Sequence, residues 1–169
     1  MLELIKARRS IRKYTQEPVS EEHVQALLEA AMAAPSANNL QPWEFVVVQD
    51  AELRRQLAAT HPWAYMAADA PVVFVVLGDA QRSDHWVEDT SAATQNLLLA
   101  AAALGLGGVW VGIYPRAERE EHVRRTLGIP GSKRVLCVLP VGHPAEHKPP
   151  RTQYDPAKVH RDRYGQRAP

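Results

Sequence analysis

The chain has 169 residues, 46% of them hydrophobic and 23% charged, with a formal net charge of +1 at neutral pH. That length suits a single domain over residues 1–169 with a substantial core. The near balance of charge argues against a nucleic-acid binder, which needs a broad basic surface.

Residues 1–6 are too short and too charged to serve as a signal peptide. The longest apolar helix-like run, residues 97–104, falls well below the roughly 20 residues that span a bilayer. A cytoplasmic protein with no membrane partner is expected. The single cysteine, Cys137, excludes an internal disulfide. It lies in an apolar run and reads as a small buried hydrophobe.

Residues 2–8 read as a short helix that delivers a basic stretch. Ser20 reads as an N-cap, with Glu21 and Glu22 in the first turn, where acids suit the helix dipole. Val24, Leu27, Leu28 and Ala31 follow at helical spacing, so one face is buried. Pro35 stops that helix, and residues 35–42 form a polar loop rich in serine and asparagine. Residues 44–49 read as a strand with four apolar residues in succession, and hence as a central one. Asp50 caps a short helix over residues 51–59. Residues 71–77 read as a second buried strand.

Residues 83–104 predict a long helix whose second half is apolar nearly all round. In a domain this small, that pattern points to a subunit partner. Residues 109–114 predict a third strand, residues 116–127 an exposed charged helix, and residues 134–142 a fourth strand. From residue 143 to 169 the chain is rich in proline, arginine and histidine. It reads as an extended tail, disordered or draped over a neighbouring subunit. No glycine-rich phosphate loop follows the first strand, which argues against a dinucleotide-binding Rossmann fold.

The basic stretch is Arg8, Arg9, Ser10 and Arg12, with Lys13 behind it. Guanidinium groups grip phosphate bidentately, and a serine hydroxyl adds a donor. A solvated basic helix edge explains the same residues, and composition does not decide between the two. The histidines form no metal pattern: His143 and His147 have i, i+4 spacing, but Pro144 between them argues against a helix. Asp84, His85, Glu88 and Asp89 cluster at a helix start and read as a solvated turn. Ser36 and Ser91 lack a Gly-x-Ser-x-Gly context, so a serine hydrolase is not expected. Trp110, taken alone, reads as a core aromatic.

Taken together, five blocks resemble the FMN-dependent nitroreductase family, in its compact branch. They are Arg-Arg-Ser-x-Arg from Arg8, Ala-Pro-Ser-x-x-Asn-x-Gln-Pro-Trp from Ala34, and the run from Ser91 to Ala101. The last two are the run from Leu104 to Gly112, and Val141-Gly142-His143-Pro144-Ala145-Glu146 followed by Lys148 and Arg151. The resemblance implies an α+β fold with a mixed, mostly antiparallel central sheet flanked by helices. It also implies a homodimer with FMN at the interface.

By that resemblance Arg8 and Ser10 hold the FMN phosphate, with Arg9 beside them and Lys148 or Arg151 completing the site. Arg12 approaches the pyrimidine edge of the flavin, where a cation stabilises the reduced ring. Pro35, Ser36, Ala37 and Asn39 cover the flavin from the second subunit, and Trp43 serves packing. Val109, Trp110, Val111 and Gly112 pass under the ring. Longer members carry an acidic residue near the position of Val111.

The implied activity is reduction of an electron-poor small-molecule acceptor (a nitroaromatic, a quinone or an enone) by NADH or NADPH. Hydride passes through flavin N5 in ping-pong fashion, with no obligatory side-chain acid or base. Loops such as residues 61–69 contact the acceptor but carry no diagnostic pattern. Other flavin chemistry on the same fold (dehalogenation, dehydrogenation or flavin fragmentation) stays open. So do a flavin-holding dimer with little turnover and a non-flavin phosphate binder.

Overall fold

Two strands carry the fold because nearly every residue along them is buried: β2 (Val72–Gly78) and β5 (Arg134–Gly142). A computed structural model describes residues 1–166 of the chain. The tail expected over residues 143–169 therefore ends, for its last three positions, outside the described residues.

Along β2, Val73, Val75 and Leu77 enter one apolar cluster and Val72, Phe74 and Val76 the other. This is the period-2 alternation of a strand covered on both faces. Under one face lie α2 (Glu21–Met32) and α4 (Trp86–Ala103); under the other lie α3 (Ala51–Ala58) and α5 (Ala117–Leu127). Ser20 accepts the N–H of His23 and Asp50 that of Leu53, so both predicted caps form.

The sheet runs β1 (Trp43–Val48), β2, β5, then β3 (Gly107–Gly108), with β4 (Val111–Gly112) also on β5. All these pairings are antiparallel. The one parallel contact described is the bridge of Ser10 to Gly108.

Three expectations need correction. β1 is not central: among the described residues it pairs only with β2, and Phe45, Val46 and Val47 are half-buried. Its run of apolar residues signals a strand, but not its rank in the sheet. The strand expected over residues 109–114 is two short pieces. Gly107 faces Gly142 and Gly112 faces Cys137 in one unbroken register, which sets Val109 opposite Pro140. Proline has no N–H, so the ladder is interrupted there. Finally, α5 is not simply exposed. It buries Val123 fully and Glu120 to 2% exposure, with Glu120 accepting from Arg134 Nε at 2.9 Å and Nη2 at 2.7 Å.

Burial opposes ionisation of Glu120. The bidentate Arg134, the Val135 N–H and Arg124 outweigh that and hold its carboxyl below the usual range. Cys137 and Trp43 are core residues, as expected, and burial pushes the Cys137 thiol pKa up. Among the described residues no helix is long and apolar enough to cross a membrane.

Candidate functional site

The first helix, α1 (Leu2–Ala7), ends where Arg8 turns to extended backbone. From there residues 8–12 run beside β3, with Ser10 bridged to Gly108 and the Ile11 N–H donated to the Gly108 carbonyl at 3.1 Å. Ile11 is buried and pins the segment. It seats against Gly107, where an added Cβ would lie 2.6 Å from Ile11 Cγ1. Only glycine permits that approach.

The stretch after β5 closes over this segment. Thr15 donates its N–H to the His143 carbonyl at 2.9 Å, Ala145 donates to Lys13 at 2.9 Å, and Arg151 donates to Lys6 at 3.0 Å. Glu146 Oε1 accepts the Arg12 N–H at 2.6 Å and lies 3.1 Å from Lys148 Nζ. Lys148 Nζ also donates to the Ser10 carbonyl at 2.6 Å, and Arg9 Nη1 donates to the Pro149 carbonyl. Foremost among the causes, the Arg12 N–H holds the Glu146 carboxyl below its ordinary range, with Lys148 assisting.

A cavity of about 260 Å3 opens here, lined by Arg8, Arg9, Gly107, Gly108, His147 and Lys148 among others. Glu146 also lines it and pairs with Lys148, but the arginines have no such partner. Among the described residues no carboxylate lies within ion-pair distance of Arg8, Arg9, Arg12 or Arg151. Partial burial, and behind it the like charges of Arg151 and Arg9, push the Arg8 pKa down. A half-buried guanidinium beside like charges and without a carboxylate partner makes this a candidate anion site. Arg8, Arg9 and Ser10 are half-buried under the C-terminal stretch, whereas Arg12 and Lys13 are exposed, so the solvated-edge description fits only those last two.

A second cavity, of about 320 Å3, is lined by Arg12, His61, Trp63, Tyr65, Met66, Val109, Trp110, Val111 and Gly112. The two cavities meet consecutive stretches of one strand region, residues 107–108 and 109–112. Trp110 is not a core aromatic: it is 37% exposed at the cavity. At Gly112 an added Cβ would meet nothing within 4 Å, so the backbone there is open to a ligand.

The structure thus brings Arg8, Arg9, Ser10, Arg12, Val109, Trp110, Val111, Gly112, Lys148 and Arg151 into one region. Pro35, Ser36, Ala37 and Asn39 line neither cavity. Ala37 instead faces a separate cleft with Asn38, Leu40 and residues 81–85. That loop is held from within the chain: Asp89 Oδ1 accepts the Ala37 N–H at 2.9 Å, and Oδ2 accepts from Ser83 Oγ at 3.1 Å. Asp84, His85 and Glu88 are exposed, as the solvated turn requires, but Asp89 is buried, 5% exposed, and departs from that expectation. Asn38, Asn39 and Gln41 all take positive φ, which strains the loop into a fixed shape.

Within the loop of residues 61–69, expected to contact the acceptor, sequence reasoning did not single out the cavity walls His61, Trp63 and Tyr65; elsewhere it missed Glu146 as a latch and Asp89 as a loop anchor. Two aromatics beside Pro62 in a short loop are the one available signal.

The sequence profile of the nitroreductase family matches residues 5–61 and 58–143. This chain belongs to the nitroreductase family. Among its relatives is a Methanothermobacter thermautotrophicus protein with the provisional name NADH dehydrogenase/NAD(P)H nitroreductase. It is 43% identical over 97% of this chain and 87% of its own length. A crystal structure from Parabacteroides distasonis with the same provisional name superposes with a TM-score of 0.94 at 41% identity, covering 96% of this chain and 98% of that one. An FMN-dependent nitroreductase from Clostridium difficile superposes at 0.93 and 32% identity, covering 97% and 100%. The nitroreductase fold expected from the sequence is therefore the fold observed.

Proposed function

We propose that this member of the nitroreductase family binds FMN and uses NADH or NADPH to reduce electron-poor acceptors such as nitroaromatics, quinones or enones. The observation that carries the reading is the uncompensated cluster Arg8, Arg9 and Arg151. It stands at one end of a strand region whose other end, residues 109–112 with Arg12, lines a cavity suited to a flat ring. The donor set fits: a dianionic phosphate supplies the charge that the guanidiniums lack, and an open backbone at Gly112 admits a ring system.

FMN, when bound, supplies two-electron chemistry between a nicotinamide and an acceptor. The chain's own work is binding and tuning. Arg8, Arg9 and Ser10 hold the phosphate. Arg151 completes that site rather than Lys148, whose ammonium is already engaged by Ser10 and Glu146. Arg12 places positive charge where reduction adds negative charge. The net reaction balances as NAD(P)H plus a proton plus a quinone giving NAD(P)+ plus a hydroquinone.

The working unit in this reading is a homodimer. An apolar groove of about 400 Å3 runs between Met1, Leu4 of α1, Ala30 and Ala33, and Leu99, Ala100 and Ala103 of α4. A second copy covers it, and the loop carrying Pro35, Ser36, Ala37 and Asn39 reaches the partner's flavin. Residues 152–166 of the tail, with Tyr154 exposed, pack on the partner. The nicotinamide reductants are cytosolic metabolites, which places the reaction in the cytoplasm.

The experiment is a visible spectrum of the purified protein after incubation with FMN and gel filtration, followed by anaerobic addition of NADH or NADPH. Retained flavin that bleaches with the nicotinamide supports the reading. A colourless protein overturns it. Light scattering on the same sample reports the dimer.

A further inference from the structure

The backbone at Gly112 is held from outside the sheet. Val109 and Ile113 donate their N–H groups to the Pro140 and Leu136 carbonyls of β5, at 3.3 and 3.1 Å. Strand alternation then turns the N–H and C=O of Gly112 the other way. Among the described residues β4 pairs with no strand but β5, so Gly112 stands on an open edge. It also lines the cavity assigned above to the flavin ring. Gly112 has no side chain, and an added Cβ would meet nothing within 4 Å. Side-chain packing therefore does not fix its peptides.

A single contact from α5 does. Arg119 Nη1 donates to the Gly112 carbonyl at 3.2 Å. Arg119 is half-buried and does not line the cavity, so it reaches the site only through Gly112. Its own place is fixed by its neighbour. Glu120 is buried and bound to β5 by the bidentate Arg134 and by the Val135 N–H. The charge of Arg119 is also free to act. Among the described residues no carboxylate lies within ion-pair distance of it. Burial first, and the Arg119 charge second, hold the His61 imidazole below its ordinary range. His61 is part of the cavity wall, so the field of Arg119 reaches that wall.

We propose that Arg119 is a positioning residue for the flavin site. It clamps the Gly112 carbonyl, so that the end of β4 keeps one shape beneath the ring, and it sets a positive charge behind that carbonyl. This rests on the flavin reading above. The clamp is a property of the folded chain and exists before any cofactor arrives. The charge matters once the ring is reduced and gains negative charge.

The test compares the parent with two variants. Arg119→Met keeps the aliphatic stem and loses both donor and charge; Arg119→Lys keeps both. In the FMN-free protein, amide hydrogen exchange is followed residue by residue by NMR. Arg119→Met should exchange about tenfold faster at Ile113 and Tyr114, whose N–H groups bond to Leu136, the size of one lost hydrogen bond to a charged group. The amides of β2 should exchange as in the parent. Arg119→Lys should recover most of the protection. In the FMN-loaded protein, an anaerobic redox titration reads the flavin midpoint potential. It should fall in Arg119→Met, because the reduced ring loses a nearby cation, and return toward the parent value in Arg119→Lys.

Unchanged exchange at Ile113 and Tyr114 overturns the clamp. So does a rise spread evenly over β2 and α5, which marks a general loss of stability. A midpoint potential that is the same in all three proteins overturns the role of the charge, as does an equal fall in the methionine and lysine variants. A parent that retains no FMN sinks the flavin reading instead, and exchange measured without FMN keeps the two failures apart.

Discussion

The carboxylate of Glu146 accepts the backbone N–H of Arg12 at 2.6 Å, across 134 residues of sequence. This contact holds the base of the arginine assigned to the flavin. The same oxygen lies 3.1 Å from Lys148 Nζ, so the latch is charged on both sides. Glu146→Gln keeps the shape but weakens the pair. The expected result is a smaller effect on FMN affinity than on reduction by NADH, since the phosphate end is untouched. Fluorescence titration of FMN and anaerobic stopped-flow reduction measure the two. A larger loss in affinity than in rate would contradict the assignment.

The same glutamate fixes a pH dependence. Its folded pKa is lowered by the Arg12 N–H and Lys148. Its stabilisation is therefore complete above the unfolded value of about 4.3 and is lost as pH falls through the lower folded value. The difference in Tm between the parent and Glu146→Gln should be constant near neutral pH and shrink below about pH 4.3. A gap that widens in acid would mean another group dominates.

Arg8 and Arg12 should separate cleanly. Arg8→Ala removes one charge-assisted contact to a phosphate and should cost about 1.5–3 kcal/mol in FMN affinity, roughly 10- to 150-fold. Arg12→Ala should lower the flavin midpoint potential and the reduction rate more than it lowers affinity, because its charge matters most to the reduced ring. Equilibrium dialysis and spectroelectrochemistry decide. Equal losses at both positions would remove the distinction.

Gly107→Ala places a methyl 2.6 Å from Ile11 Cγ1 and 2.7 Å from Ile11 Cβ. Ile11 cannot swing away, since its own Cβ is in the clash. A loss of about 1–3 kcal/mol is expected, seen as a lower Tm with weaker FMN retention. The double variant Gly107→Ala with Ile11→Gly, which removes that Cβ, should regain part of the FMN affinity. If the single variant binds FMN normally, β3 does not position the arginine segment.

Asp89→Ala leaves the Ala37 N–H without its partner in a part-buried site. The expected cost is about 1–3 kcal/mol, or roughly 3–10 °C in Tm. If the loop of residues 35–41 covers a partner's flavin, FMN affinity of the dimer falls as well. A Tm loss with unchanged affinity would confine Asp89 to a structural role.

What the amino-acid sequence determined on its own is local. Ser20 and Asp50 capped the helices they precede, since a side-chain oxygen three residues before a free N–H needs no distant partner. The all-apolar run of β2 reported a buried strand. Ordered motif blocks sufficed for the family. Only the tertiary structure decided that the solvated-looking Asp89 is an internal anchor and that β1 lies at the edge of the sheet. Only it showed that Pro140 splits a strand expected to be continuous. Each of these depends on what stands opposite a residue in space, and partners brought together by folding leave no periodic trace along the chain. The open aromatic wall at Trp63 and Tyr65 belongs to the same class, because exposure is a property of the fold and not of the residue.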